Sequence, residues 1–393
     1  MNDMTDRRGR QVLAVTLVLA ATAIAGLLVV TLFSMNPAGL LGDLEIYRGA
    51  ISYAIGGGDL YQWVYEHPTV HGLGFTYPPF SALVLSWLTV VPLPAAKVIW
   101  TVATFAVAAA CLYLLVTSIG EGSWPGVDPA PVVRWAWTAG LMIPFLLTYP
   151  FVHDLVVGQV TLFVVALALF DQQLPRRWQG VLVGLAAAIK LTPLVFIPYF
   201  LITRQWRRAL VATSTFVVAA LVALAVLPGP SMAFWTTTLW QTGRVGRTDS
   251  TVNKSLLGML TRLFSDTSAT HLVWLAIAAA VTVLAFWQAS GSYRRGDTIG
   301  AMLMVGTLSV AVSPISWPHH ELWLALVACW WVLQRGWLPG VLAAIVFAVL
   351  FAFPLYDDYP STAGWLSVGV ELPALVVLLV LGFGARPALR GAR

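Results

Sequence analysis

Apolar residues fall into long runs separated by short polar stretches. The runs at 12–33, 79–94, 96–117, 132–148, 155–171, 178–203, 208–227, 272–290, 298–313, 320–334, 337–354 and 366–384 each approach the roughly 20 residues a helix needs to cross a bilayer. They predict an all-α, polytopic membrane protein with about 12 transmembrane helices. The short alternating segments of an outer-membrane barrel are absent. No fixed-period repeat, linker or second soluble domain interrupts the pattern, so residues 1–393 read as one membrane domain.

Charge sets the orientation. Arg7, Arg8 and Arg10 precede the first run and place the N-terminus in the cytoplasm. A secretory signal cleaved after Ala23-Ile24-Ala25 is the alternative, but the run is too long for a signal core. Alternating spans put Arg204, Arg207, Arg208, Arg294, Arg295, Arg335, Arg386, Arg390 and Arg393 on the cytoplasmic side. Arg176 and Arg177 disobey if 178–203 crosses once. They obey if 178–189 and 192–203 are two short helices meeting at Lys190-Leu191-Thr192-Pro193, with one segment among 79–171 re-entrant. The outside, the periplasmic face of a plasma membrane, then receives 34–78, 228–271, 314–319 and 355–365.

Composition agrees. Only 10% of residues are charged, against about 25% in a soluble domain, and mean hydropathy is +0.82. The net charge of +5 sits in short loops, which topology explains without a nucleic-acid partner. Cys111 and Cys329 lie inside apolar runs and suggest neither a disulfide framework nor a metal site.

The candidate chemistry gathers in the outer stretches. Residues 43–55 suit a short amphipathic helix on the membrane surface, with Leu44, Ile46, Tyr47, Ala50, Ile51 and Ala54 on its apolar side. Asp43 is either its N-cap, worth about 1 kcal/mol, or a functional acid; Glu45 points elsewhere. Tyr77-Pro78-Pro79 turns the chain back into the membrane. His319 and His320, in SPISWPHHELWL, diverge by about 100° on a helix, so they make no metal pair. Nor is this HExxH, since Leu324 stands three after Glu321. Trp317 and Trp323 suit the headgroup level, and one histidine could instead meet an anionic phosphate. Lys190 lies among apolar residues, where a lysine costs at least about 2.5 kcal/mol, and either snorkels or binds an anion. His153, Asp154 and Gln159 suit either a cavity wall or interhelical hydrogen bonds. Arg244, Arg247 and Lys254 form the outer basic cluster, beside Trp235, Trp240 and Thr236–Thr238. Asn253-Lys254-Ser255 also matches a glycosylation acceptor.

Together these motifs give a resemblance. Gly42-Asp43 followed by Tyr47, Tyr77-Pro78-Pro79, Gly158-Gln159, Lys190-Leu191-Thr192-Pro193, Asn253-Lys254-Ser255 and Ser313–His320 are similar in order and spacing to glycosyltransferase family 87. These are GT-C enzymes, the polyprenyl-phosphate-dependent mannosyltransferases of mycobacteria and relatives. The resemblance implies a polyprenyl-phosphate-mannose donor, a phosphatidylinositol mannoside-like or lipomannan acceptor, an α-1,2 product and inversion. It implies Asp43 as general base, with His319 and His320 also catalytic. Lys190, Gln159, Tyr47, Tyr77, His153, Arg244, Arg247, Asn253, Lys254 and Trp317 would bind substrate. No cofactor or metal is required, and a monomer among membrane lipids is expected. A polyprenyl-phosphoarabinose donor in the same fold, a lipid-linked sugar flippase and a membrane scaffold are the rival readings.

Overall fold

The computed structural model describes residues 2–35, 40–67, 70–119, 131–334, 336–352, 371–377 and 380. The outer stretch 355–365, most of the run 366–384, and Arg335, Arg386, Arg390 and Arg393 lie outside the described residues.

Helix α1 (Asn2–Met35) packs along α5 (Pro131–Leu147), and α4 (Leu93–Thr117) completes this side of the molecule. The surface helix α2 (Gly42–Ile55) follows α1, with both bounds close to those expected. Arg48 ties it down by donating to the carbonyls of Leu88 and Val91. Its apolar face, with Leu44, Tyr47 and Ile51, packs on Leu60, Phe75, Leu85 and Trp100 in a core of its own.

One element departs from the all-α expectation. Strands β1 (Val64–His67) and β2 (Val70–Gly74) form an antiparallel hairpin with Val64 opposite Gly74 and an irregularity between Tyr65 and Glu66. Val64, Tyr65 and Val70 favour strands, but four or five residues between turn-rich flanks are too few to stand out from a loop.

The span count also differs. Among the described residues, four helical stretches are long and apolar enough to cross a bilayer: Gln11–Thr31, α4, α10 (Trp206–Val226) and α13 (Ser268–Arg294). A fifth arises if α5 and α6 (Tyr149–Val157) count as one span bent by 74°. The twelve crossings expected from hydropathy are not seen. Helices α14 (Thr298–Val312) and α15 (Leu322–Val332) are apolar on nearly every side because they form the main core, not because they face lipid. Gly306 lets the Trp323 ring lie against the α14 backbone, where a Cβ would stand 2.2 Å from the indole. Helix α16 (Trp337–Ala352) packs on α15.

The short helices form a layer. α3 (Pro79–Leu85), α7 (Thr161–Phe170), α8 (Val181–Ile189) and α9 (Phe196–Ile202) are each 7–10 residues long. α7 and α8 run antiparallel. At one end the Lys190 ammonium donates to Thr161 Oγ1 at 2.9 Å. At the other, the Asp171 carboxylate accepts from the Gly180 amide and from Arg208 Nε, both at 2.8 Å. α9 then returns from Lys190 to the same end, where Arg207 reaches the Arg177 carbonyl at 3.5 Å. The turns carrying Arg176–Arg177 and Arg204–Arg208 therefore lie on one face. This geometry matches two short helices meeting at Lys190 and not a single straight helix over 178–203. Nine residues rise about 13.5 Å, half of a roughly 30 Å hydrocarbon core. Close packing of α8 on α10 depends on Gly180 and Gly184, where a Cβ would meet backbone atoms of Arg208 and Ala212 at 2.4 and 2.5 Å.

Beyond α10, α11 (Pro228–Thr236) and two 3-10 turns lead to α12 (Leu256–Phe264), whose N-terminus Ser255 caps by accepting from the Gly258 amide at 3.0 Å.

Candidate active site

Two unusual backbone positions set the site. Leu41 precedes α2 at φ 62°, and Gly158 ends α6 at φ 72°. They fit together: the Leu41 amide donates to the Val156 carbonyl at 2.6 Å, and a Cβ on Gly158 would lie 3.1 Å from Leu41 Cα. Only glycine meets both demands at 158 without strain. The junction brings the first turn of α2 against the α6–α7 break.

Asp43 thereby reaches Gln159. Gln159 Nε2 donates to Asp43 Oδ2. Asp43 is thus no N-cap: Leu41 holds that position without a side-chain cap. The Gln159 carbonyl accepts from Tyr77 at 2.7 Å and from Tyr47 at 3.1 Å. Burial pushes the Asp43 carboxyl up to about 6, against the opposing pull of the Gln159 amide and the Lys190 ammonium. Such a group is ionised at neutral pH yet basic enough to take a proton.

Glu45, two residues on, faces elsewhere. It pairs with Lys97 at 2.6 Å and accepts from the Tyr65 hydroxyl at 3.2 Å. The two acids at the start of α2 therefore have different surroundings: one enters the site, the other ties α2 to α4 and the hairpin.

Lys190 stands at the gap between α8 and the turn leading to α9, with extended backbone at φ −146°. It is 8% exposed, and its Nζ lies 5.3 Å from the Tyr77 ring centroid. A small cavity of about 20 Å³ beside it is lined by Thr161, Ser309, His320 and Trp323 among others. His320 accepts from the Trp317 amide at Nδ1 and lies edge-on to His319, the ring planes 89° apart. His319 is buried and turned the other way: its Nδ1 lies 3.3 Å from His153 Nδ1, and the two rings stack at 5.3 Å. Of the adjacent histidines, His320 lines the Lys190 cavity and His319 faces α6.

The other candidates divide. Asn253 is 1% exposed and clamps a loop: its amide donates to the carbonyls of Thr248 and Pro314, and its carbonyl accepts from the amides of Ser255 and Ser316. Its whole amide is thus engaged within the loop. Lys254, equally buried, donates from Nζ to the Thr251 carbonyl. Trp317 lies against Gly246, holding loop 240–250 over the 3-10 turn Pro318–Glu321 that carries the histidines. Arg244 reaches the Tyr61 carbonyl and ties the outer loops together. Arg247 is 83% exposed and pairs with Asp249, away from the cluster.

Two residues carry more than their sequence signals suggested. Thr161 holds Lys190; its signal is a hydroxyl opening an apolar run two residues after Gln159. Asp154 is 1% exposed, and neither carboxylate oxygen has a hydrogen-bond partner. No group of three or more His, Cys, Asp and Glu among the described residues could hold a metal.

An apolar groove of about 440 Å³ opens beside the polar cluster. Val160 and Ile189 on its wall adjoin Gln159, Thr161 and Lys190 in the chain, and Trp100 packs on the Tyr47 ring at 6.2 Å.

Residues 75–314 match the family model described as glycosyltransferase family 87. Over 332 residues, 82% of this chain and 77% of the relative, the chain is 32% identical to a Mycobacterium tuberculosis polyprenol-phosphate-mannose-dependent alpha-(1-2)-phosphatidylinositol mannoside mannosyltransferase. Over 363 residues, 88% of this chain and 85% of the relative, it is 30% identical to a Mycolicibacterium smegmatis polyprenol-phosphate-mannose-dependent alpha-(1-2)-phosphatidylinositol pentamannoside mannosyltransferase.

Proposed function

The chain belongs to glycosyltransferase family 87, and on that premise we propose that it moves mannose from a polyprenyl monophosphate to a phosphatidylinositol mannoside-like glycolipid. The product is an α-1,2 linkage formed with inversion, on the outer face of the plasma membrane, with Asp43 as general base.

The observation that carries this reading is Asp43 itself. Its carboxylate is desolvated, held by Gln159, and lies within the electrostatic reach of Lys190. In the step proposed, the acceptor hydroxyl oxygen attacks the anomeric carbon as the bond to the phosphate oxygen breaks. The acceptor proton passes to Asp43. The leaving group is a polyprenyl phosphate monoester, which gains a negative charge. Lys190 and His320 around the small cavity supply a cation and a hydrogen-bonding ring for that charge. His319 and His153 brace the turn that carries His320. The adjoining apolar groove suits an isoprenoid tail.

The test is Asp43→Asn in nanodiscs, with radiolabelled polyprenyl-phosphate-mannose and, separately, the arabinose donor. The amide accepts no proton at neutral pH, so mannosyl transfer should fall by about 10²–10⁴. In the unaltered enzyme kcat/KM should rise through pH 6 and level off above it, because the base works only when ionised. Near-normal turnover by the asparagine variant removes Asp43 from the mechanism.

A further inference from the structure

We infer that Gln159 is a positioning residue for Asp43, and that Tyr47 and Tyr77 lock its amide in the single orientation that can serve. The inference rests on the reading of Asp43 as the base.

A primary amide presents one accepting face and one donating face. Both phenols donate to the Gln159 carbonyl, at 2.7 and 3.1 Å. Only the NH₂ face then remains for Asp43, and it meets Oδ2. Rotating the amide by 180° would set its carbonyl oxygen against an ionised carboxylate, two acceptors facing each other without a proton. The phenols close that route only if they remain donors, and burial holds both hydroxyls well above their ordinary pKa. Tyr47 is also fixed in place: it is 2% exposed, with Phe75, Tyr77 and Trp100 rings packed around it at 5.6–6.2 Å.

The consequence lies in Asp43. With Oδ2 engaged, Oδ1 is left to receive the acceptor proton. A donated hydrogen bond favours the ionised carboxylate and opposes the rise that burial imposes. The other ionisable groups that act on Asp43 are Lys190, Tyr47, Tyr77, Tyr65 and Asp154. Of these, Lys190 stabilises the ionised form and Asp154, when charged, disfavours it. Glu45 on the same helix is neutralised by Lys97. Neither the lysine nor the acids can substitute for a directional N–H on Oδ2.

Three variants of the full-length protein test this in nanodiscs, read as the pH midpoint of kcat/KM for acceptor. Gln159→Leu removes the donor and should move the midpoint up by about 1–2 pH units. Tyr47→Phe with Tyr77→Phe leaves Gln159 in place but frees its amide, and should shift the midpoint in the same direction by less. Gln159→Glu puts a second carboxylate beside the first and should shift it furthest. Should Gln159→Leu fail to fold, Tyr77→Phe alone, which deletes one oxygen, reads the same midpoint. A purely structural role predicts lower kcat at an unmoved midpoint, and that result overturns the inference. The Asp43→Asn variant separates the two readings: if it is inactive while all these variants titrate like wild type, only the positioning role falls. If Asp43→Asn is active, the base reading falls and this inference with it.

Discussion

Lys190→Met isolates one charge with little change of shape. Methionine keeps the unbranched apolar stem that crosses the gap after α8 and loses the ammonium. In the structure that ammonium spends one N–H on Thr161 Oγ1, at 2.9 Å, and lies over the face of Tyr77. Two N–H groups remain to meet an anion, at a site 8% exposed, where water competes poorly. A hydrogen bond to a charged group contributes about 1.5–3 kcal/mol, which translates to a rise in donor KM of roughly 10–150-fold. The internal loss is smaller: the Thr161 hydroxyl can rotate to another partner, and the cation–π contact is worth about 0.5–2 kcal/mol. Thr161→Val keeps the charge but releases its aim, and should raise donor KM by less than about 10-fold. The assay is steady-state transfer in nanodiscs, with each substrate varied at saturating levels of the other. A Lys190→Met enzyme with wild-type donor KM, or with donor and acceptor KM raised equally, refutes the phosphate-binding role.

Other expectations follow from the same geometry. Asn253→Ala strips four hydrogen bonds from the loop clamp and should cost about 2–4 kcal/mol, read as a lowered Tm in detergent; an unchanged Tm contradicts the clamp. His320→Ala should raise donor KM, whereas His319→Ala, which removes the ring stacked on His153, should chiefly lower Tm; identical profiles would show the two rings are not divided as described. Glu45→Gln weakens a partly exposed pair with Lys97, worth no more than about 1 kcal/mol, and should leave turnover within 2-fold of wild type. Cysteines at 177 and 207, in a background lacking Cys111 and Cys329, should label with an impermeant reagent from the same side; opposite sides would contradict the return of 181–202.

What the sequence made legible and what it hid have separable causes. The surface helix at 42–55, the break at Lys190 and the polar residues around 153–159 were readable because each is a local exception, an acid or lysine where the pattern calls for an apolar residue. Whether Asp43 caps a helix or enters a site was not local. It depends on Gln159, 116 residues away in sequence, and on a left-handed Leu41 that no propensity announces. Hydropathy alone does not fix the span count, because it registers apolarity and the interior of this protein is as apolar as lipid; α14 and α15 are short and buried on nearly every side. Asn253 and Lys254 read as solvent-facing because polar residues outside a membrane are usually solvated. Here both are 1% exposed, at the hub of a turn.

The half-length helices α7, α8 and α9 have a bearing on how the chain enters the membrane at all. A segment leaving the translocon is sorted by whether it can sit in lipid alone. Residues 181–202 cannot: neither arm reaches across, and the lysine at their apex adds a charge worth about 2.5–3.5 kcal/mol against insertion. The arms become acceptable only once Gly180 and Gly184 rest on α10 and Asp171 has found Arg208. Both partners are made later in synthesis. On this geometry a chain cut short before α10 lacks the helix on which Gly180 and Gly184 rest, and its 181–202 segment should integrate into the membrane less efficiently than in the full chain.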